Sequence, residues 1–243
     1  MGINRVTRFG VLLAAELLSA AATSQAASVI WDNGADPLFG ILSSQIESRF
    51  DAQVADDFQF PLGPGGETTW TITDVHWDGG YANPAEDGDF DIRIMIYADN
   101  GAGAAPTGGP GDPTFTALYV EDFTNDKVNE TFTGIDGFGS LHYSYSVDLT
   151  VPFVADAGTK YWLAIQSVAV FPPQWGWAVS DKQQLHESVY GFPLLLTDYW
   201  TSTNNIDQID NDDVAFRLTG FVPEPGTGLL AVAVVGFFAS RQR

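Results

Sequence analysis

The run "EDGDFDIR" sets Asp87, Asp89 and Asp91 at alternate positions. Alternate side chains of extended backbone share a face, so these three carboxylates project to the same side. An all-oxygen set of this kind suits Ca²⁺, which takes about six to eight oxygen ligands. The EF-hand frame is missing, because Gly and Glu do not stand where that loop requires them. A second run, "DQIDNDD", offers Asp207, Asp210, Asp212 and Asp213, again without the frame, and "ADDF" sets Asp56 beside Asp57. Each reads either as a solvated acidic loop or as the place of a structural Ca²⁺; no other cofactor is implied.

Aromatic residues carry a second kind of chemistry. Trp175 and Trp177 stand two apart and so face the same way on a strand, while Trp200 lies in a polar neighbourhood. A pyranose ring packs its C–H groups against such π faces, which makes Trp175, Trp177 and Trp200 the candidate carbohydrate-binding residues. The competing reading is core packing, which is favoured for all of these tryptophans and most strongly for Trp70, Trp77 and Trp162. Catalytic signals are poor. The absence of cysteine removes thiol nucleophiles, Cys-based zinc sites and iron–sulfur clusters. His76, His142 and His186 are scattered, and neither HExxH nor Gly-x-Ser-x-Gly occurs. A glycosidase needs two carboxylates at a set separation, and no pair is singled out. No catalytic residue is assigned and the chain is not expected to be an enzyme; a glycan-active enzyme stays a minor alternative.

The two ends say where the chain goes. Residues 1–26 carry Arg5 and Arg8, an apolar stretch from Phe9 to Ala22, and Ser24-Gln25-Ala26, the order of a secretory signal peptide, with Glu16 an unusual member of the apolar part. Residues 222–243 run Val222-Pro223-Glu224-Pro225, then an apolar segment, then Arg241 and Arg243. A helix from Gly226 to Ser240 would be about 22 Å long. A bilayer core is about 30 Å thick, so the segment is short for a permanent span and reads as a marginal anchor or a processing signal. The arginines hold that end on the cytoplasmic side.

This three-part order resembles the PEP-CTERM sorting tail, also known as the ice-binding protein C-terminal domain. The resemblance covers residues 222–243, with Pro223, Glu224 and Pro225 carrying the motif and Arg241 and Arg243 the basic end; Gln242 and two phenylalanines depart from the pattern. It implies an exosortase-type processing enzyme as partner, transient insertion of the tail into the inner membrane of a Gram-negative bacterium, and release to the cell surface or exterior. Ice binding is a further alternative implied only by the tail's second label. The core lacks the regularly repeated Thr-rich strands of a flat ice-facing surface.

The two ends hold four of the ten basic residues and two of the thirty-one acidic ones. Six against twenty-nine remain, a net charge of −23 for the middle of the chain. Such a surface repels nucleic acid and anionic lipid and attracts divalent cations. With 17 Phe, 7 Trp and 8 Tyr the chain has ample core material, so the acidity does not signal disorder. Residues 27–221 suit one domain.

Period-two patterning dominates that domain. In "YSYSVDLTVPF", Tyr143, Tyr145, Val147, Leu149, Val151 and Phe153 fall on one face. In "FDIRIMIY", Phe90, Ile92, Ile94 and Ile96 point inward and Asp91, Arg93 and Met95 outward. "DVAFRLTG" alternates through Val214, Phe216 and Leu218, and "KYWLAIQSVA", apolar on both faces, reads as a central strand. "TWTITDVHW" switches register near Thr73 or Asp74, the mark of a β-bulge. The expected helical content is one short piece near Ile41–Phe50. The loop around Gly101–Pro113 is long for a hairpin. About nine to eleven short strands separated by Gly/Pro/Asp turns predict an all-β, antiparallel β-sandwich, jelly-roll-like, flanked by the signal peptide and a C-terminal hydrophobic helix.

The segments "IWDNG", "ADDF", "DIRIMIYADNGAGAAP", "YWLAIQ", "WGWAVSD" and "DVAFRLTG" resemble, in their order, secreted β-sandwich proteins that carry PEP-CTERM tails. That resemblance implies the fold and the export route and brings no activity. The expected function is therefore a non-enzymatic exported protein of the cell surface or extracellular matrix, associated with exopolysaccharide or biofilm. A carbohydrate-binding module is the alternative.

Overall fold

Alternating apolar residues bury one face of a strand, and two such faces closing on each other make a core. The computed structural model describes residues 26–34, 40–46, 51–82, 90–108, 116–135, 139–169, 172–192, 200–203 and 213–222. The signal-peptide pattern before Ala26 and the sorting tail from Pro223 onward lie outside these residues.

In chain order the strands are β1 (Ser28–Asp32), β2 (Ile41–Ser43), β3 (Gln45–Ile46), β4 (Gln53–Gln59) and β5 (Thr69–Tyr81). They continue with β6 (Asp91–Ala98), β7 (Ala117–Phe123), β8 (Asn129–Ile135), β9 (Leu141–Asp156) and β10 (Lys160–Val168). The last are β11 (Trp175–Ala178), β12 (Val189–Gly191), β13 (Thr201–Ser202) and β14 (Phe216–Phe221). The first sheet is organised by β5, which has β9 and then β8 on one side. On its other side it carries β14 with β1, and further along β11 with β2. The second sheet runs β13-β12-β4-β10-β6-β7. Pairing is antiparallel throughout except for β3, which lies parallel to the end of β10. Among the described residues no helix is long and apolar enough to cross a membrane.

The main core lies between the sheets. Ile72, Val75, Trp77 and Phe216 of the first sheet meet Phe58, Ile94, Leu163 and Ile165 of the second. A smaller core sits on the outer face of the second sheet, where Ala55, Met95, Tyr97, Trp162, Ala164 and Val189 are covered by Ala117 and Trp200. That second core is why β10 is apolar on both faces, as its sequence requires.

Three local expectations change. Residues 41–46 are the two short strands β2 and β3 and not part of a helix; residues 47–50 lie outside the described set. Met95 points away from the main core yet is fully buried, because the second core covers it. Val151 is 65 % exposed although its alternation partners Leu149 and Phe153 are buried. The cause is the register shift opposite the expected bulge: Ile72 pairs with Phe153 and Asp74 with Asp148, so β9 advances five residues while β5 advances two. The strands also close tightly at Gly220, where an added Cβ would lie 1.9 Å from the Thr71 carbonyl oxygen.

Candidate functional site

The alternation of β4 decides where its two acids go. Val54, Asp56 and Phe58 face the space between the sheets, while Ala55 and Asp57 face outward under the second core. Both carboxylates are at 0 % exposure. Consecutive acids in one buried strand thus place one carboxylate on each side of the second sheet.

On the outer side, Asp57 pairs across the strand with Trp162 of β10. Lys160, two residues earlier on β10, therefore shares the face of Asp57. Its Nζ lies 2.6 Å from Asp57 Oδ2. The same ammonium donates to the Gly103 carbonyl at 2.9 Å and sits 2.5 Å from His186 Nδ1. Three acceptors around one ammonium use all its donors. The His186 backbone N–H reaches both Asp57 oxygens at 3.3 Å. Asp99 completes the corner: its carboxylate accepts from Trp162 Nε1 at 3.0 Å and from the Gly101 and Gly103 amides at 2.8 and 3.1 Å. Gly103 has a φ of +80°, a turn conformation that side-chain-bearing residues resist. Leu185, immediately before His186, adopts φ 63° without being glycine. Burial pushes the Asp57 carboxyl above its ordinary range, and the hydrogen bond and charge of Lys160 pull it back.

On the inner side, Asp56 Oδ2 accepts from Asn33 Nδ2 at 2.7 Å and from the Val214 amide at 2.9 Å, and Oδ1 accepts from the Asp57 amide at 2.7 Å. Asp213, also fully buried, accepts from the Gln184 amide at 2.5 Å. Burial and then the neighbouring Asp213 charge push the Asp56 carboxyl well above its ordinary range. The Ser180 hydroxyl donates to the Asn33 carbonyl and the Ser180 amide to the Asp213 carbonyl, so the end of β1, the segment after β11 and the approach to β14 meet here.

The arrangement binds loops to sheets. Lys160 is engaged on all its donors and Asp56 and Asp213 lie out of contact with solvent, while on the outer side the His186 ring, with Nδ1 3.6 Å from Asp57 Oδ2, is exposed.

The residues singled out by sequence fall differently. Asp87 and Asp89 lie outside the described residues. Asp91 begins β6, is exposed, and accepts from the Asn125 amide at 3.2 Å. Among the described residues no group of three or more His, Asp or Glu is placed to hold a metal ion. Trp175 and Trp177 are at 0 % exposure, which corrects their reading as sugar platforms. They share a face as expected, but it is the face toward the main core; Trp175 Nε1 donates to the Tyr145 hydroxyl at 3.3 Å and Trp177 Nε1 to the Ala215 carbonyl at 2.9 Å. Trp200 is half-buried over Tyr97, ring centroids 6.1 Å apart, and donates to the Gly108 carbonyl at 2.9 Å. Val222 is half-buried just past β14; Pro223, Glu224, Pro225, Arg241 and Arg243 lie outside the described residues.

Sequence reasoning did not single out Asn33 as a site member, Lys160, His186 or Asp99. One signal was available: a lysine opening the otherwise apolar "KYWLAIQ", in a core with six cations, must find a carboxylate if it is to be buried. The profile of a family described as a domain of unknown function (DUF7901) matches residues 29–219. No curated protein matches the chain.

Proposed function

The chain belongs to the DUF7901 family, a domain of unknown function, and from its own residues we propose that it is a non-enzymatic exported protein of the cell surface or extracellular matrix, associated with exopolysaccharide and processed by an exosortase-type enzyme. The observation that carries this reading is the pairing of a signal-peptide pattern at residues 1–26 with Val222-Pro223-Glu224-Pro225, an apolar segment and terminal arginines, around an acidic, cysteine-free middle. In this reading the tail enters the inner membrane only until the enzyme cuts at Pro223–Pro225. The mature sandwich then reaches the outside. A surface with so few cations disfavours nucleic acid and anionic lipid as partners. Support for a non-enzymatic role comes from the polar seam, where Lys160 spends its donors on Asp57, Gly103 and His186 and the carboxylates of Asp56, Asp57 and Asp213 are fully buried.

The sandwich is read as jelly-roll-like. Its chain crosses between the layers from β2 to β3, β4 to β5, β5 to β6, β7 to β8, β9 to β10, β10 to β11, β11 to β12 and β13 to β14, the habit of a double-sheet roll.

Intact-mass and C-terminal peptide analysis of the chain recovered from its native cells tests the reading. The expected product starts near Ala27 and ends at the Pro-Glu-Pro segment. An exported chain that still ends at Arg243 overturns the processing claim. An unchanged destination after deletion of residues 222–243 overturns the sorting role.

A further inference from the structure

The inner half of the polar seam asks for something the export reading does not supply. Asp56 and Asp213 are both fully buried, and the charge of one disfavours ionisation of the other. Three N–H groups already occupy Asp56. A carboxylate has about four acceptor positions, so capacity on Asp56 remains. Asn33 is the second, independent observation. Its side chain is at 0 % exposure, and its Nδ2 donates to Asp56 at 2.7 Å and to the Val214 carbonyl at 3.3 Å. Its Oδ1, on the same carboxamide, is buried without a hydrogen-bond donor. A buried amide oxygen left in that state is costly and calls for a partner.

A proton held between the two acids would relieve their repulsion but not reach Asn33 Oδ1, whereas one turned toward that oxygen would serve both, and calcium dependence separates proton from cation. A hard cation answers both needs, since it neutralises the carboxylates and takes the amide oxygen as a ligand. The donor set holds only oxygen, which suits Ca²⁺ over softer metals. The geometry points to a structural Ca²⁺ site built from Asp56, Asp213 and Asn33 Oδ1. The site joins the end of β1, the middle of β4 and the entry to β14, three places far apart in the chain. It has two carboxylates and an amide, and so differs from the acidic run at Asp87, Asp89 and Asp91. It is independent of the tail, and neither result below bears on export.

The full-length chain, stripped with EDTA and purified in mild detergent, is melted with and without CaCl₂, alongside Asp213→Asn and Asn33→Ala. Calcium at a hundredfold excess over its dissociation constant is expected to raise the wild-type Tm by about 5–10 °C. Both variants should lose that shift. In EDTA, Asp213→Asn should melt no lower than wild type, because the amide removes the repulsion and can still accept from Gln184. Should that variant fail to fold, Asn33→Ala decides alone. A wild type indifferent to calcium overturns the site, as does a shift that survives in both variants and so belongs to the acidic surface. A calcium-independent wild type that gains stability only as pH falls assigns the pair to a shared proton and equally overturns it.

Discussion

Lys160 shows how one side chain can hold several segments that share no local sequence. Its ammonium meets β4 through Asp57, the segment after β6 through Gly103, and the segment before β12 through His186. The exposed ion pair Lys182–Asp32, at 3.5 Å, is of a weaker kind, since water screens both partners. Asp57 is fully buried, so removing Lys160 strands a charge where water does not reach it. Lys160→Met is expected to cost about 3–5 kcal/mol at neutral pH, read by denaturant unfolding. The pH dependence has a definite sign. Burial raises the Asp57 carboxyl and Lys160 opposes the rise; without the lysine the folded value climbs further. A raised folded value gives stability present below the unfolded carboxylate range and lost as pH rises through it. The variant should therefore lie closest to wild type in acid and fall away toward neutrality. The double variant Lys160→Met/Asp57→Leu should recover a large share of the loss, since an apolar pair replaces a buried ionic one. Equal loss in single and double variants would contradict the charge argument.

At the scale of elements, alternation identified the strands and hid what lies beyond the first layer. The central character of β10 and the break in β5 near Thr73 could be read directly, because both are local patterns. Period-two alternation puts Met95 on the outward face and cannot report a second core laid over that face. Their spacing puts Trp175 and Trp177 on one side, and only the long-range pairing of β11 with β2 and β5, which lays that side on the main core, makes it internal. The inner seam joins Asn33, Asp56 and Val214, where contacts span 23 and 158 residues, beyond any window a local pattern covers. Register also creates a pair no composition announces. Asp74 on β5 faces Asp148 on β9, with a hydrogen bond between their carboxyls. That bond raises Asp148. Burial would raise Asp74 as well, but the bonds from Asp148, Thr73 and Thr219, with His76 nearby, hold it below its ordinary range. Arg217, on the neighbouring strand, faces His76. The stability from protonated Asp148 is present below the unfolded carboxylate range and lost as pH rises through its raised value. Above that, two like charges face each other across the strands. Asp148→Asn keeps a donor for Asp74 at every pH and should stabilise the chain by about 0.5 kcal/mol near neutrality. At pH 3 the gain should vanish. Thermal melts at both pH values check it, and a gain equal at the two would count against the shared proton.

The whole molecule carries a formal charge of −21 on a sandwich whose layers are about 10 Å apart. At about 0.01 M salt the screening length is about 30 Å, so acids on opposite faces feel one another; near 0.15 M it falls to about 8 Å and most of that field is gone. Self-repulsion of this sort opposes the compact state more than the expanded one. With no cysteine available to crosslink the chain, packing and the polar seam must oppose it without a covalent tie. Sodium chloride raised from 0.01 to 0.15 M should therefore raise the Tm, and most of the gain should come before 0.15 M. In the Lys160–Asp57 pair the carboxylate is fully buried and the lysine 14 % exposed, so the pair feels little of the added salt and Lys160→Met should gain as much from it as wild type does. A Tm independent of salt would mean the acids are already neutralised by bound cations. A gain missing from Lys160→Met would place the salt effect in the seam and not in the field of the surface as a whole.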